Sequence, residues 1–569
     1  MALAPDPDLL AATSFFNALL RETADWQFLP ATTGSGGVVR LPLTAGEQLC
    51  VTLRHRSRNG RCRLALPLQV AAADGALREI SFTGAIRRLM SESPLFEEVD
   101  ETLRRSFIER VQESHHNIAD SLARRDDLAE LGQGPLNFLQ AEQGLLTGHD
   151  FHPAPKSRAP FTTRQAQAYC PEYRATFHLV WWAVAPELAV SDSSRDDTAA
   201  ALMATLLPAS LAAEVPAGFV ALPMHPWQAE QMMQRDAIRA RVAAGRLIRL
   251  GESGQRWAPT SSHRSLYVPG AQWQLKGSLS ARLTNSVREL HEGEVARGLR
   301  LDRWWRALPE TLTAHFELMQ EPAWLGWYDE QGRVDEASLM LLRENGIIDP
   351  AAERSVLATL TQRLDGEGTT LLAARVQHYA RVTGMAPDGA ALDWFRAFCE
   401  RVLTPLLRLV VEEGIVLLAH QQNIVLRLDD GLPVATDYRD CQGSGVTARF
   451  FERRPGAEVS HDHRISTAML RRYFPYYVLI NSTMAVTGAL AEDGLIDEHR
   501  LLASLRHHLE HLSATLEGDH ALLEHLLHSP TLEVKGNFFC YLAGINESTL
   551  DDPARIYIDI PNPLLETAA

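Results

Sequence analysis

Residues 9–22 place apolar side chains at helical spacing, and this pattern predicts an amphipathic helix. Four short runs rich in apolar and β-branched residues follow at 38–43, 49–53, 63–70 and 79–84, and they predict strands. Apolar positions recur with a helical period across 96–125, which predicts a long second helix. The segment 148–161 contains three prolines, so we predict a loop there.

The rest of the chain alternates strands and helices and then becomes mainly helical. Residues 173–184 read as a strand, and 218–243 as a strand that turns into a helix. Pro269-Gly270 separates two extended runs and predicts a β-hairpin. A second hairpin is predicted around Asp430-Gly431, between two long apolar-periodic helical stretches. No internal repeat or low-complexity linker marks a domain boundary.

Composition and charge exclude several classes of protein. The chain has 569 residues, with 55 Lys and Arg against 71 Asp and Glu, a net charge of −16. Such an acidic protein lacks the basic footprint that non-specific nucleic-acid binding or an anionic membrane requires. We expect no signal peptide and no membrane span, because no apolar run is long enough. The six cysteines form no CxxC pair, which argues against a disulfide framework or a zinc site and favours a cytoplasmic chain with free thiols.

The first hairpin combines cationic and hydroxyl side chains. Its second strand alternates apolar residues with Gln274, Lys276 and Ser278, and Thr260–Arg264 are placed on the strand before it. Thr284-Asn285 would open a helix, with Arg288 on the face of Asn285. Fixed cations beside hydroxyls and a helix N-terminus would suit a polyphosphate or a polycarboxylate. The alternative is a solvent-facing sheet with ordinary polar residues.

The second hairpin carries a carboxamide and a carboxylate at its open end. The apolar run 415–419 leads to His420 and Asn423, and the chain returns through a strand to Asp440. Strands of equal length place Asn423 and Asp440 opposite each other within about one register step. Oxygen ligands of this kind suit Mg²⁺ bound to nucleotide phosphates. Alternatively, these residues cap strand ends and His420 is a core histidine.

The loop 148–161 holds a third cluster, with two histidines three residues apart and two cations. Contact of His152, Lys156 and Arg158 with an anion is a better interpretation than zinc, since no third soft ligand is near in sequence. A basic surface loop is the alternative. His225-Pro226-Trp227-Gln228 reads as a helix entry with proline in the first turn.

Together these motifs resemble one family, the ATP-dependent siderophore synthetases that act independently of nonribosomal peptide synthetases (NIS synthetases). The matches occur in the order of the family and extend from residue 148 to 564. They comprise Gly148, His149, His152, Pro153, Lys156 and Arg158; the H-P-W-Q at 225–228; Ser262, Arg264, Ser265, Lys276, Thr284, Asn285 and Arg288; His420, Gln422, Asn423, Arg439 and Asp440; and Lys535 with Asn562-Pro563-Leu564. Each motif is weak alone, but the ordered set is specific.

The resemblance implies a cupped, three-part α/β (α+β) architecture around one cleft. It places a mixed N-terminal domain at 1–185, a middle antiparallel-sheet domain at 186–370 and a mainly helical C-terminal domain at 371–569. It also implies a reaction in which ATP and Mg²⁺ activate a carboxylate of citrate or a related acid as an acyl-adenylate. An amine, amino acid or hydroxylamine would then displace AMP to form an amide or ester. The partners would be these small molecules, with a homodimer as an open prospect.

The same resemblance assigns roles to individual residues. ATP would be bound by His152, Ser262, Arg264, Ser265, Lys276, Gln422, Asn423 and Asp440, of which Asn423 and Asp440 would hold the metal. The acid would contact Thr284, Asn285, Arg288 and His420, with Lys156 and Arg158 nearby. Arg264, Lys276, Arg288 and His420 would be catalytic. Fixed cations are what adenylation needs, because a carboxylate must approach an α-phosphate of the same charge.

Departures from the family pattern leave the acid open. Asp150 replaces a proline of the loop, Pro160 replaces a glycine, and Ser265 replaces a threonine. Leu418 stands where many members carry Glu, which removes a carboxylate from the site. Free citrate, a mono-substituted citrate or succinate derivative, and 2-oxoglutarate all remain alternatives.

Two other classes of protein share parts of this sequence pattern. A kinase would share a His-to-Asn hairpin followed by Asp, but Gln422 occupies the position of the required catalytic Asp and no glycine-rich loop precedes a matching strand. An iron–siderophore redox protein would share a C-terminal segment, but its iron–sulfur centre needs a cysteine cluster, and Cys540 is alone near the C-terminus.

Overall fold

The N-terminal region joins a helix to an antiparallel sheet. The computed structural model describes residues 5–32, 34–284, 286–365, 368–545, 550 and 552–565. Asp6 caps the first helix through the amide of Asp8, and proline in the first turn favours its start. The sheet has the order β1-β2-β3-β4-β5. The elements of the N-terminal region are α1 (Pro7–Glu22), β1 (Gln27–Pro30), β2 (Gly37–Pro42), β3 (Gln48–Arg56), β4 (Cys62–Ala71), β5 (Leu77–Ile80), α2 (Phe82–Glu92), α3 (Glu101–Ala123), α4 (Leu128–Gln133), α5 (Phe138–Gln143) and α6 (Thr163–Tyr169).

An eight-stranded antiparallel sheet forms the middle of the molecule, in the order β7-β15-β16-β11-β10-β9-β6-β8. A short two-stranded ribbon of β12 and β13 leaves this sheet beside the loop that precedes α6. The strands are β6 (Phe177–Val184), β7 (Ala189–Ser193), β8 (Val220–Met224), β9 (Leu247–Pro259), β10 (Ser265–Tyr267), β11 (Trp273–Gly277), β12 (Leu279–Leu283), β13 (Ser286–Arg288), β14 (Phe316–Leu318), β15 (Ala323–Trp327) and β16 (Met340–Glu344). The helices are α7 (Ala199–Ala204), α8 (Ala209–Ala212), α9 (Pro226–Gln234), α10 (Asp236–Ala243), α11 (Glu292–Trp305) and α12 (Glu310–Thr313).

Helices dominate the C-terminal region and surround a four-stranded sheet of order β14-β20-β19-β17. Two further pairs of strands, β18 with β21 and β22 with β23, lie outside that sheet. The strands of the region are β17 (Arg354–Val356), β18 (Ile415–Leu417), β19 (Ile424–Asp429), β20 (Leu432–Tyr438), β21 (Ser444–Val446), β22 (Thr531–Lys535) and β23 (Tyr557–Pro561). Its helices are α13 (Leu357–Thr361), α14 (Leu371–Thr383), α15 (Pro387–Phe398), α16 (Thr404–Arg408), α17 (Ala448–Arg453), α18 (Thr467–Phe474), α19 (Met484–Glu492), α20 (Glu498–Thr515), α21 (Ala521–His528) and α22 (Asn537–Leu542), with π-helical turns at Cys399–Leu403, Leu409–Glu413 and Pro475–Thr483.

One hydrophobic core joins the two ends of the chain. Phe15 of α1 packs edge-on against Phe538 of α22, with ring centroids 5.2 Å apart, and the same buried cluster continues through the C-terminal helices. A second core lies against the eight-stranded sheet. That sheet includes β6, so it crosses the predicted boundary at residue 185. The mixed α/β fold with a middle antiparallel sheet is confirmed, whereas the three domain ranges remain a prediction.

Both predicted hairpins are present. Strands β10 and β11 pair Ser265 with Lys276, and β19 and β20 turn at Asp430 and Gly431, where φ is 47° and 85°. Positive φ at both central residues matches the twist of paired strands and favours Asp-Gly. A side chain at Gly431 would also come within 2.6 Å of the Arg375 carbonyl oxygen. The sequence at this turn therefore specifies the pairing.

The segment after the first hairpin differs from the prediction in three respects. Residues 260–264 form a turn rather than a strand, with His263 at a φ of 66°. The extended run breaks at Ser278, whose hydroxyl donates to the Glu336 carbonyl and accepts from the Leu290 amide. Residues 286–288 form β13, not a helix, because Ser286 pairs with Leu283 across a tight turn at Thr284. Asn285 lies outside the described residues.

The predicted polar face of the first hairpin is interior rather than solvent-facing. Gln274, Lys276 and Ser278 are each less than 5% exposed. Residues 82–84, predicted as the end of a strand, instead begin α2, because the Ser81 hydroxyl caps that helix through the amide of Gly84. Among the described residues no helix is long and apolar enough to cross a membrane.

Candidate active site

A cavity of about 320 Å³ lies where the two hairpins, the loop 148–158 and the C-terminal helices meet. Its wall contains every predicted site residue that the structure describes: His152, Lys156, Arg158, Ser262, Arg264, Ser265, Lys276, Thr284, Arg288, His420, Gln422, Asn423 and Asp440. These residues come from segments far apart in sequence. The fold therefore assembles them into one concave site.

The two hairpins are joined directly by an ion pair. Lys276 Nζ of β11 donates to Asp440 Oδ1 at 2.8 Å and also to the side-chain oxygen of Gln442. Glu321 lies 3.8 Å from the same ammonium, and it is held in turn by Arg343 at 2.6 Å. The Lys276 side chain is only 5% exposed. These partners therefore hold its ammonium in a fixed position at the wall of the cavity. The two hairpins therefore meet at the wall of the cavity.

Asp440 is held in an unusual backbone conformation and kept ionised. Its φ is 84°, a left-handed value that costs a non-glycine residue free energy and is common at functional sites. Burial by itself raises the pKa of Asp440, but the charges of Lys276, Arg343 and Arg264 outweigh it and the pKa falls well below its usual value. Its Oδ2 accepts from the Asn423 amide at 3.2 Å, as the register of the hairpin predicts.

His420 is neutral at physiological pH. Burial lowers its pKa to about 4, against the opposing effect of Asp440. Its Nδ1 accepts from the Gln422 amide at 3.3 Å, and its Nε2 lies 3.2 Å from Asn423 Nδ2. A neutral imidazole can lie beside cationic groups without repulsion. This side chain is therefore suited to hydrogen bonding rather than to charge compensation.

The turn between β9 and β10 presents Arg264 and two serines to the cavity. Arg264 donates to the carbonyl oxygens of Arg288 and Glu289 at 3.1 and 2.9 Å. The Ser262 hydroxyl accepts from the Ser265 amide at 3.1 Å, which closes the turn. Two carbonyl contacts orient the guanidinium without neutralising it. Burial nonetheless lowers the pKa of Arg264, and Glu294 and Asp440 oppose that effect.

The β12–β13 ribbon carries Thr284 and Arg288, two of the residues predicted to bind the acid. Arg288 donates to Thr284 Oγ1 at 3.3 Å and to the Leu283 carbonyl at 3.4 Å. The ribbon is fixed to the loop by the Arg282 amide, which donates to Ala159 O at 3.0 Å. Arg288 thus lies on the same wall as Arg264 even though the predicted helix is absent.

The loop 148–158 places its cations on structural partners. Lys156 Nζ donates to Glu172 Oε1 at 2.8 Å and to the Leu145 carbonyl at 2.5 Å. Arg158 donates to Asn117 and to the Tyr173 hydroxyl, each at 2.9 Å. These contacts give the two cations a part in holding the loop, although both side chains still line the cavity. His152 stacks edge-on against Tyr541 with centroids 4.7 Å apart.

Several contributing residues were missed by the sequence reasoning. Glu142 of α5 is fully buried; its Oε2 accepts from Ser261 N at 2.9 Å and Oγ at 2.8 Å, and its carboxylate also pairs with Arg439. Nothing in the local pattern of α5 marks this glutamate. A further wall comes from the π-helical turn 475–483 and from α22: Tyr476, Tyr477, Asn481 and Asn537. Lys535 of β22, which the family motifs include without a role, lies on the same wall. Buried polar residues within an otherwise apolar helix were the available signal for Asn481.

The second hairpin offers oxygen donors suited to Mg²⁺. Asp440 is ionised, and Asn423 adds a carboxamide on the same side of the cavity. One carboxylate with neutral oxygen donors and open space for water and phosphate is the arrangement that Mg²⁺ uses at nucleotide sites. The residues therefore fit the ion.

Comparison with known proteins identifies the class to which this fold and site belong. Residues 137–362 match the family model described as the IucA / IucC family, and residues 392–550 match one described as ferric iron reductase FhuF-like transporter. The chain is 38% identical over 565 residues to N(2)-citryl-N(6)-acetyl-N(6)-hydroxylysine synthase of Vibrio mimicus, covering 97% of this chain and 94% of that protein. It is 34% identical to the rhizobactin siderophore biosynthesis protein RhbC of Rhizobium meliloti, covering 98% and 97%.

A solved structure extends the comparison to the whole fold. The ATP-bound aerobactin synthetase IucA from a hypervirulent pathotype of Klebsiella pneumoniae is similar to this chain with a TM-score of 0.89 and 36% identity, over 98% of this chain and 99% of that one. The fold is therefore that of a siderophore synthetase. More particularly, the chain belongs to the NIS synthetase family of aerobactin type, which confirms the resemblance drawn from its motifs.

Proposed function

We propose that this protein is an ATP-dependent ligase that adenylates a carboxylate of citrate or a citrate-like acid and condenses it with an amine, amino acid or hydroxylamine. The names of the relatives support a citrate-derived product, and the ATP-bound relative supports the use of ATP. The single observation that carries the proposal is the contact of Lys276 with Asp440 inside one cavity. It brings a phosphate-binding cation and a metal-binding carboxylate to the same point.

Each residue then has a physical task. Arg264 and Lys276 present positive charge to the triphosphate. The hydroxyl groups of Ser262 and Ser265 add hydrogen-bond donors. Gln422 and His152 contribute from the neighbouring walls. Attack of the acid on the α-phosphate forms the acyl–phosphate bond and releases pyrophosphate. Attack of the amine then forms the amide and releases AMP. Charges fixed in advance lower the first barrier, because little reorganisation is needed at the moment of reaction.

Mg²⁺ is proposed at Asn423 and Asp440. When bound, the ion would neutralise charge on the phosphates. Asp440 contributes by staying ionised, and Asn423 contributes by orienting that carboxylate through its amide. We expect variants of either residue to require more Mg²⁺ for half-maximal exchange.

The acid is proposed to bind against Arg288, Thr284, Asn285 and neutral His420. A guanidinium can pair with a carboxylate through two parallel bonds, which suits a polycarboxylate. Lys156 and Arg158 act on this region by fixing the loop, since their charged ends already have protein partners. Leu418 leaves the choice between free citrate, a mono-substituted citrate or succinate derivative, and 2-oxoglutarate to experiment.

Compartment and assembly also belong to the proposal. All six cysteines lie in the described residues, are buried and form no disulfide bond, which suits a reducing compartment such as the cytoplasm. A homodimer stays open to test by light scattering.

The decisive experiment measures pyrophosphate release and ATP–pyrophosphate exchange with citrate, 2-oxoglutarate and succinate against a panel of amines. Arg264→Ala should reduce exchange by about 10²–10³, whereas Arg246→Ala, at an exposed ion pair with Glu187, should leave it unchanged. Arg288→Ala should raise the KM of the acid with little change in the KM of ATP. Wild-type exchange by Arg264→Ala would refute the phosphate site.

Nucleotide products separate this proposal from a phosphotransferase, which would release ADP. The match of residues 392–550 to a reductase-like family raises a second alternative. In the described part of that segment no group of three or more His, Cys, Asp or Glu residues lies at ligand distance. Purified protein without iron absorbance supports the ligase.

A further inference from the structure

A buried cluster of ligating side chains lies in the wall of the cavity, apart from the predicted magnesium residues. Cys170, Glu172 and His263 each offer one ligand atom, and the three atoms lie within 4.8 Å of one another. Among the described residues this is the sole group of three or more His, Cys, Asp or Glu with such spacing. Neither the proposed reaction nor any motif uses it.

The fold positions the three side chains rigidly. Cys170 ends α6, and the short turn Pro171–Tyr173 that follows carries Glu172. His263 belongs to the turn 260–264, where its left-handed backbone, with a φ of 66°, turns the imidazole towards Glu172. Cys170 is fully buried and Glu172 is 1% exposed. Such rigidity is what a metal site needs, because little ordering remains when the ion binds.

Two of the three ligand atoms have no hydrogen-bond partner among the residues that the structure describes. Glu172 Oε2 and His263 Nε2 are both buried and unsatisfied, and they lie 3.5 Å apart. That separation is long for a hydrogen bond between the two groups. It agrees with the separation of about 3.3 Å between nitrogen and oxygen ligands that share one tetrahedral zinc ion at about 2.0 Å. A buried carboxylate oxygen that meets His263 in so long an ion pair would be stabilised by a metal ion that both groups ligate.

The charges around the cluster are compatible with a divalent ion. Lys156 occupies Glu172 Oε1 and leaves Oε2 for a single metal bond. Neighbouring positive charge, foremost that of Lys156, outweighs burial and keeps the pKa of Glu172 well below its usual value, so the carboxylate is available. Burial raises the pKa of Cys170, but a bound zinc ion displaces the thiol proton to solvent. Thiolate, carboxylate and Zn²⁺ then sum to zero charge.

We propose that Cys170, Glu172 and His263 form a binding site for Zn²⁺ or a similar transition metal in the wall of the active-site cavity. A sulfur, a nitrogen and an oxygen ligand select this class of ion over Mg²⁺, which prefers oxygen alone. Glu172 and His263 both line the cavity, so the ion enters from there and its fourth position faces water. Bound metal fixes His263, and with it the turn that carries Ser262 and Arg264.

The test is titration of metal-free, full-length protein with Co²⁺ and Zn²⁺, with excess Mg²⁺ present throughout. Co²⁺ should give a thiolate-to-cobalt charge-transfer band that Zn²⁺ removes. Cys170→Ser should abolish the band and weaken Zn²⁺ binding by about 100-fold or more, since loss of even an outer-shell partner costs 10- to 100-fold. Cys399→Ser is the matched control, because Cys399 is equally buried and its thiol pKa is also raised by burial.

Two further variants separate this site from the magnesium residues. His263→Gln should weaken Zn²⁺ binding, whereas Asp440→Asn should leave the cobalt band intact. Cobalt binding without a thiolate band, or equal Zn²⁺ affinity in Cys170→Ser and the wild type, would overturn the proposal. Loss of the band in Asp440→Asn alone would assign the metal to the second hairpin instead. A circular dichroism spectrum of each variant identifies those that fail to fold.

Discussion

Replacement of Lys276 by alanine tests the ion pair that joins the two hairpins. The substitution leaves the carboxylate of Asp440 inside the cavity without its nearest cation, 2.8 Å away. Loss of one partner of a buried pair costs about 3–5 kcal/mol. Because the Asp440 side chain is 29% exposed towards the cavity, we expect the lower end, about 3 kcal/mol, in the free energy of unfolding.

A double-mutant cycle isolates the pair from other effects. Asp440→Asn alone strands the ammonium of Lys276, while the double variant removes both charges. The two losses should therefore not add, and we expect a coupling free energy of about 2 kcal/mol, within the usual range for residues in contact. Urea unfolding of the four proteins, followed by intrinsic tryptophan fluorescence, measures the coupling. Arg246→Ala, at an exposed ion pair, is the control and should cost less than about 1 kcal/mol.

Activity measurements on the same proteins provide a second test. Lys276→Ala should lower ATP–pyrophosphate exchange by about 10²–10³, because a cation on the transferring phosphate is lost. Strict additivity of the two stability losses would show that the pair does not hold the hairpins together. Wild-type exchange in a folded Lys276→Ala protein would remove this residue from the phosphate site.

Three other substitutions probe the surroundings of the site. Gly148→Ala should lower the melting temperature and kcat/KM, since φ is 79° there and a Cβ would lie 2.8 Å from a proline carbonyl; an unchanged melting curve would contradict this. Glu142→Gln leaves a buried arginine without its carboxylate partner and should lower the free energy of unfolding by about 3 kcal/mol. The KM of ATP should also rise, and an unaltered KM would restrict Glu142 to a role in stability. Burial raises the pKa of Glu492, but Arg61 and Arg363 prevail and lower it to about 2. A lowered pKa stabilises the fold above the unfolded value near 4.5, and this stabilisation is lost as the pH falls towards 2. The shift corresponds to about 3 kcal/mol. In Glu492→Gln the free energy of unfolding, measured with urea, should therefore depend less on pH between pH 5 and 3. A pH dependence parallel to that of the wild type would refute this prediction.

Local signals in the sequence predicted both hairpins and several of the helices. The Asp430-Gly431 turn matches the twist of paired strands and so fixes the register that places Asn423 beside Asp440. The same reasoning failed at 286–288, where a helix was predicted and the chain forms β13. Pairing of Ser286 with Leu283 satisfies backbone groups that a helix would have satisfied differently, and local pattern does not distinguish the two. The burial of Lys276 was likewise hidden, because alternation shows two faces but not what covers each.

The candidate site was predictable to the extent that its residues stand in ordered motifs. Glu142 was not, because an isolated glutamate on an amphipathic helix gives no sign of a partner such as Arg439, which the fold brings to it from the far end of the second hairpin. Nor were the protein partners of Lys156 and Arg158, which hold the loop.

By itself, the order of residues along the chain determined the turns, the periodicity of helices and strands, and the set of chemical groups available. Only the tertiary structure decided which groups meet: Lys276 with Asp440, and Cys170 with His263 and Glu172. The physical reason is that turns and helices depend on neighbours a few residues apart. Burial, ion pairing and metal coordination depend instead on distances in space, and these are set when two hydrophobic cores close around the cavity.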